Sequence, residues 1–138
     1  MISHFKNKYP TMDIKIIEMS PNEIENSLKN YEIHIGVTSI FNKDNENEMN
    51  YIPIFEERLI LITPLEHRLE NFSSIDISEL QNETLIHSLT GYNVRESLIE
   101  AYQKIEYIPR INYETESLET ARVLVESGLG VSVVPEAS

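Results

Sequence analysis

Any chemistry in this chain rests on hydroxyls, a few amides and one well-placed histidine. Ser20 and Asn22 follow an apolar segment, as do Thr38 and Ser39. His87 and Ser88 follow another, and Glu116 and Ser117 a fourth. Such groups orient a small ligand by hydrogen bonding, and His87 could also sense pH or donate to an anion. The bland roles are helix capping for Ser20 and Ser117, a turn for Thr38 and Ser39, and a core position for His87. Nucleophilic and metal chemistry find little support. Cysteine is absent, which removes thiolate ligands and nucleophiles together. His4, His34, His67 and His87 form no i, i+4 ligand pair, so no metal site is expected. There is no G-x-S-x-G elbow. The "GLG" at Gly128 follows a helical segment, whereas a dinucleotide loop follows a strand. No catalytic residue and no cofactor are expected.

The groups are positioned by elements that can be read locally. "SPNE", Ser20 to Glu23, carries a capping Ser, Pro at the first helical position and Glu three residues on. Strands are expected at Met12–Met19, Ile33–Thr38, Tyr51–Phe55, Arg58–Thr63, Thr84–Ser88 and Arg110–Thr115. A short helix is expected at Ile75–Leu80, opened by Asp76. Asn93–Ile105 reads as a helix with Val94, Leu98, Ala101, Tyr102 and Ile105 on one face, and Asn93 with Glu96 as a capping box. In "ESLETARVLVESGLGVSVVPE", Ser117 caps a helix, and Leu118, Ala121, Leu124 and Val125 share a face. Gly128 stops that helix, and Val131–Val134 form a buried strand before Pro135. Phe41–Asn50, with its acidic run Asp44–Glu48, reads as a solvated loop.

The second half thus runs strand, helix, strand, helix, strand. Two crossovers of one hand would make three parallel strands. In such sheets ligands bind beyond the carboxyl ends of the strands, where helix N-termini point. The hydroxyls noted above sit at those ends. A chain of 138 residues holds one sizeable core or two small lobes. With 23 acidic and 11 basic residues its formal charge is -12, which opposes any grip on a nucleic-acid backbone. No apolar run approaches the ~20 residues of a membrane span. No signal peptide is visible, so the expected location is the cytoplasm.

Five segments in order resemble the effector-binding domain of LysR-type transcriptional regulators. "FKNKYP" with "IKIIEM" is similar to that family's F-x-x-x-Y-P opening, and "IHIGV" to its next strand. "FEERLILITPLEHRL" and "IDISELQNETLIH" resemble the passage into the second lobe. "ETESLETARVLVESGLGVSVVPE" matches the family's E-x-x-S-x-E-T, L-V-x-x-G-x-G-V, L-P signature closely. His34, Tyr31 and Arg68 depart from the family's usual Asp, Gly and Pro.

The resemblance implies an α/β fold of two Rossmann-like lobes in the type 2 periplasmic-binding-protein-like architecture. Lobe one would span residues 1–64 and lobe two residues 65–138. The family's winged helix-turn-helix, linker helix and first strand are not seen before Met1, nor its return to lobe one after Ser138, so lobe one would be incomplete. The implied function is sensing of a small-molecule effector in the cleft, with DNA contacted only through a helix-turn-helix outside this chain. The whole regulator would be a homodimer or tetramer and would not engage a membrane. Expected effector contacts are Ser20, Asn22, Thr38, Ser39, His87, Ser88, Glu116 and Ser117. Helix N-termini facing one cleft favour an anionic effector. The alternatives are a solute-binding protein of the same architecture and a small α/β enzyme.

Overall fold

A computed structural model describes residues 2–39, 49–88 and 93–136. The loop expected at Phe41–Asn50 therefore lies almost wholly outside the described residues, as does its acidic run. The elements run α1 (Ile2–Lys8), α2 (Pro21–Lys29), β1 (Leu59–Ile62), a 3-10 helix (Ile77–Asn82), β2 (Leu85–Ser88), α3 (Asn93–Lys104), β3 (Ile111–Thr115), α4 (Leu118–Glu126) and β4 (Ser132–Pro135).

β2 and β3 are parallel, with Ser88 opposite Thr115 and His87 opposite Glu114. A parallel bridge between Leu85 and Val131 brings the β4 segment to the other side of β2. There the Ile86 N–H donates to the Val131 carbonyl and the Val131 N–H to the Thr84 carbonyl, both at 2.9 Å. β1 pairs antiparallel with β4, Leu61 opposite Val133. The described residues thus form two two-stranded sheets, β1-β4 and β2-β3, joined edge to edge through the bridge at Val131. The ladder ties residues 59–62 to the second half of the chain.

From β2 the chain steps one way to β3 and then back across to β4. Crossovers of one hand place their helices on opposite faces when the direction reverses. Accordingly, Leu98 and Tyr102 of α3 pack with Leu85, Val131, Leu69 and Leu80. Ala121 and Val125 of α4 pack with Ile86, flanked by Ile62, Tyr113 and Leu124. Successive residues of a strand face opposite ways, so Leu85 and Ile86 serve the two clusters. That explains why β2 opens on two consecutive apolar residues, Leu85 and Ile86, rather than alternating from its start.

The ends of the helices follow the sequence. Ser20 and Glu23 form the full capping box of α2. Asp76 caps the 3-10 helix by accepting from the Ser78 N–H at 2.9 Å. Gly128 leaves α4 with φ of 77°, the left-handed region that glycine enters without a Cβ penalty. One cap differs from expectation. Asn93 is the first residue inside α3, so it does not hold the cap position of a box with Glu96.

The first half departs further. Residues 12–19, 33–38 and 51–55 carry strand-like apolar patterns but are not strands. A strand exists through its ladder, and no described residue pairs with these segments. Ile16, Ile35, Ile52 and Phe55 are accordingly exposed, Ile35 at 82%. Gly36 packs against Ile24 and Leu28 of α2 so closely that an added Cβ would meet Ile24 Cγ2 at 2.4 Å.

Candidate functional site

A cavity of about 370 Å³ lies between α2 and α3. That is within the usual size range of small-molecule sites. α2 contributes Pro21, Asn22, Ile24, Glu25 and Leu28. Thr38, Ser39, Met49 and Tyr51 form the intervening rim, and α3 supplies Asn93, Glu96, Ile99, Glu100 and Gln103.

The amphipathic pattern of α3 explains its part. Leu98 and Tyr102 point to the sheet and are buried. Asn93, Glu96, Glu100 and Gln103 recur at i, i+3, i+7 and i+10, which gathers them on the opposite face. α2 presents its polar side through Asn22 and Glu25, three residues apart. Among the lining residues there are three glutamates and no lysine or arginine. Glu25 pairs with Lys29 at 2.8 Å and Glu100 with Lys104 at 3.1 Å, each at i, i+4. Those lysines partly offset the local negative charge. The first turns of both helices also border the cavity, and their backbone N–H groups carry partial positive charge.

Two hydrogen bonds span the cavity walls. The Asn93 side-chain amide donates to the Ser39 carbonyl and also to Ser39 Oγ, the latter at 3.0 Å. Thr38 Oγ1 donates to the Ser39 carbonyl at 3.4 Å.

Three of the eight residues singled out from sequence, Asn22, Thr38 and Ser39, line this cavity. Ser20, His87, Glu116 and Ser117 do not. Ser20 is engaged in the cap: its hydroxyl donates to Glu23 Oε2 at 2.7 Å and accepts from the Glu23 N–H at 3.4 Å. Ser117 accepts from the Thr120 N–H at 3.2 Å, and the neighbouring Glu116 is exposed. The backbone of Ser88 pairs with Thr115 at the end of β2, and its side chain lies outside the described residues.

His87 is a core residue, 4% exposed. Its ring lies 6.3 Å from that of Tyr102, and Arg95 pairs with Glu114 beside it. Neither ring nitrogen has a hydrogen-bond partner among the described residues. Burial, with help from the Arg95 charge and against that of Glu114, pushes its pKa down to about 4. The imidazole is therefore neutral at pH 7.

Asn93, Glu96, Glu100 and Gln103 were not singled out from sequence. Their signal was the polar face of the helix, opposite the apolar face already recognised. Tyr51 and Met49 gave none, because their approach depends on folding over a long separation.

A second, smaller cavity of about 200 Å³ is lined by Pro64, His67, Asn82 to Thr84 and Gly128 to Val131. The Leu69 N–H donates to His67 Nδ1 at 3.2 Å. The ring proton is therefore on Nε2, which donates to Glu83 Oε2 at 3.2 Å. Arg68 donates to Glu83 at 2.9 Å and to Glu79 at 2.8 Å. This cluster pins residues 67–69 to the 3-10 helix and the start of β2.

The family model described as the LysR substrate binding domain matches residues 1–138. The chain belongs to that family. Among curated relatives of this LysR-domain chain is the transcriptional dual regulator GltC of Bacillus subtilis (strain 168). It is 24% identical over all of this chain and 46% of its own length. The HTH-type transcriptional regulator YybE of the same organism is 26% identical over 99% of this chain and 46% of its own. The LysR-domain chain thus spans slightly under half the length of these curated relatives.

Solved structures give the same architecture. The Synechocystis PCC6803 CcmR regulatory domain in complex with 2-PG superposes with a TM-score of 0.81 at 23% identity. The match covers 98% of this chain and 64% of that one. The effector binding domain of QuiR in complex with shikimate gives a TM-score of 0.78 at 20% identity, covering 98% and 65%. At these identities the likeness is one of fold, the type 2 periplasmic-binding-protein-like fold of LysR substrate-binding domains. Among the described residues, no helix is long and apolar enough to cross a membrane.

Proposed function

We propose that this chain is the effector-sensing part of a LysR-type transcriptional regulator, and that its effector binds between α2 and α3. The observation that carries the reading is the cavity, which gathers Asn22, Thr38 and Ser39 with Asn93 from the other wall. The chain's family and the QuiR and CcmR complexes support a small-molecule ligand in this fold. In the whole protein the ligand acts through its difference in affinity between two arrangements of the walls or of the subunits. That difference alters how a separate helix-turn-helix meets DNA, and no covalent step is involved.

The effector is a small monoanion that also carries hydroxyl or amine donors. Two helix starts and the Asn and Thr side chains favour the anionic group. Glu25, Glu96 and Glu100 disfavour a polyanion and accept from donors on the same ligand. Among the residues expected from sequence, Asn22, Thr38 and Ser39 make the contacts.

Calorimetric titration with a panel of hydroxy-monocarboxylates, amino acids, phosphate and sulfate tests this. A binding hydroxy- or amino-monocarboxylate is expected to lose about tenfold in affinity in Thr38→Ala, the cost of a hydrogen bond to a charged group. Ser117→Ala, outside the cavity, should bind as wild type does. A ligand weakened by Ser117→Ala and indifferent to Thr38→Ala would place the site elsewhere.

A further inference from the structure

Asn93 opens α3, and an asparagine at a helix start commonly turns its side chain inward to cap its own backbone. Here the amide points away from α3 and reaches Ser39, 54 residues earlier in the chain, with bonds to both its carbonyl and its hydroxyl. α3 is anchored on the sheet by Leu98 and Tyr102. Its first turn is steadied further by Ser97 Oγ, which donates to the Asn93 carbonyl at 2.8 Å. The donor is thus mounted on a rigid element. The acceptor is not: Ser39 lies at the end of a segment with no ladder partner among the described residues. Both residues line the same cavity.

We propose that Asn93 is a positioning residue of the cavity, whose amide holds the Ser39 rim against α3 and so sets the separation of the two walls. One amide makes two bonds because an asparagine NH2 carries two donors, and the two Ser39 acceptors stand side by side. The consequence for effector binding rests on the function proposed above. The mechanical effect does not, and it can be measured without any ligand.

Because the chain has no cysteine, Asn26→Cys on α2 and Lys104→Cys on α3 place two unique thiols for spin labels on exposed positions of the two walls. Double electron–electron resonance then reads the distance between walls. With Asn93 intact, one narrow distribution is expected. Asn93→Ala should broaden it toward longer distances, with the separated population rising roughly tenfold for the loss of two hydrogen bonds. Asn93→Asp is the stricter variant. It keeps the shape but loses both donors and sets a carboxylate against a carbonyl, so it should separate the walls at least as far as Ala does. Ser39→Ala, which keeps the backbone acceptor, should show a smaller effect, and Asn93→Gln, which keeps the donors, should restore part of the wild-type distribution. Far-UV circular dichroism confirms that each variant is folded. If folded Asn93→Asp keeps the wild-type distribution, the proposal is overturned whatever the titration panel shows.

Discussion

His87 of β2 and Tyr102 of α3 face each other with ring centroids 6.3 Å apart and planes tilted by 35°, and neither finds a hydrogen-bond partner for its buried polar atoms among the described residues. The arrangement follows from the packing of α3 on β2, which buries Tyr102 to 1% exposure along with the imidazole. A buried polar group without a partner is costly, so both side chains give direct tests of how this core is built.

His87 should make stability fall as the solution is acidified. Its folded pKa is depressed to about 4 from 6.5, so between those values the unfolded chain binds the proton and the folded chain refuses it. Stability from this group is complete above pH 6.5 and is lost as pH falls toward 4, by up to about 3 kcal/mol. Urea unfolding at pH 7 and pH 4.5 measures it. His87→Phe should show a loss smaller by about 2 kcal/mol than wild type. Equal losses would mean that the imidazole takes up a proton in the folded state without penalty.

Tyr102→Phe tests the other half of the pair. The ring fills the core and packs edge-on against Tyr107 at 5.8 Å, while the hydroxyl has no partner among the described residues. Removing an unpartnered hydroxyl and keeping the ring should change stability by less than about 1 kcal/mol, or raise it. A loss of more than about 2 kcal/mol in the same denaturation experiment would reveal a buried water bonded to that hydroxyl.

On α4 the burial runs through Ala121 and Val125, with Leu124 half-buried at the flank. Val125→Ala should therefore cost about 2 kcal/mol and Leu124→Ala about 1 kcal/mol, although leucine is the larger side chain. Thermal or chemical melts of the two variants decide the order. The reverse order would show that α4 turns Leu124 rather than Val125 into the core.

The helices and their ends are legible because their signals are local. Ser20 with Glu23, Asp76, Ser117 and Gly128 act within a turn of themselves, and the periodicity of α3 and α4 is set by the helix. The strands expected at 12–19, 33–38 and 51–55 were not legible in this sense. Apolar alternation fits a strand, yet a strand is completed only by a partner distant in sequence. The lining of the candidate cavity is partly legible for the same reason. Asn22, Thr38 and Ser39 line it and stand at segment ends, which the sequence marks locally. Asn93 was read as a cap because a helix start at residue 93 rather than 94 leaves no trace in the side-chain pattern. His87 could be a ligand or a core residue by sequence. What decides it is the covering of β2 by α3, which depends on the packing angle of a whole helix.

The crossing from α4 into β4 offers the sharpest contrast between two glycines two residues apart. At Gly128 the backbone is left-handed, but none of the described residues lies within 4 Å of where a Cβ would stand. Alanine there meets only the conformational penalty, about 1 kcal/mol. At Gly130 a Cβ would sit 2.3 Å from the Thr84 carbonyl oxygen, the acceptor of the Val131 N–H that seats the β4 segment against β2. The obstructing atom is backbone and bears a ladder hydrogen bond, so it cannot swing aside as a flexible side chain would. Gly130→Ala must push the two segments apart at the junction that joins β1 and β4 to β2 and β3, and it should cost about 2–3 kcal/mol. Amide hydrogen exchange distinguishes the two variants beyond their melting points. Gly130→Ala should speed exchange at Val131 and Ile86, whose N–H groups make the junction bonds, while Gly128→Ala leaves those two amides as protected as in wild type. Unchanged protection of both amides in Gly130→Ala would show that β4 can slide to make room, and that the close approach at Gly130 does not hold the sheet together.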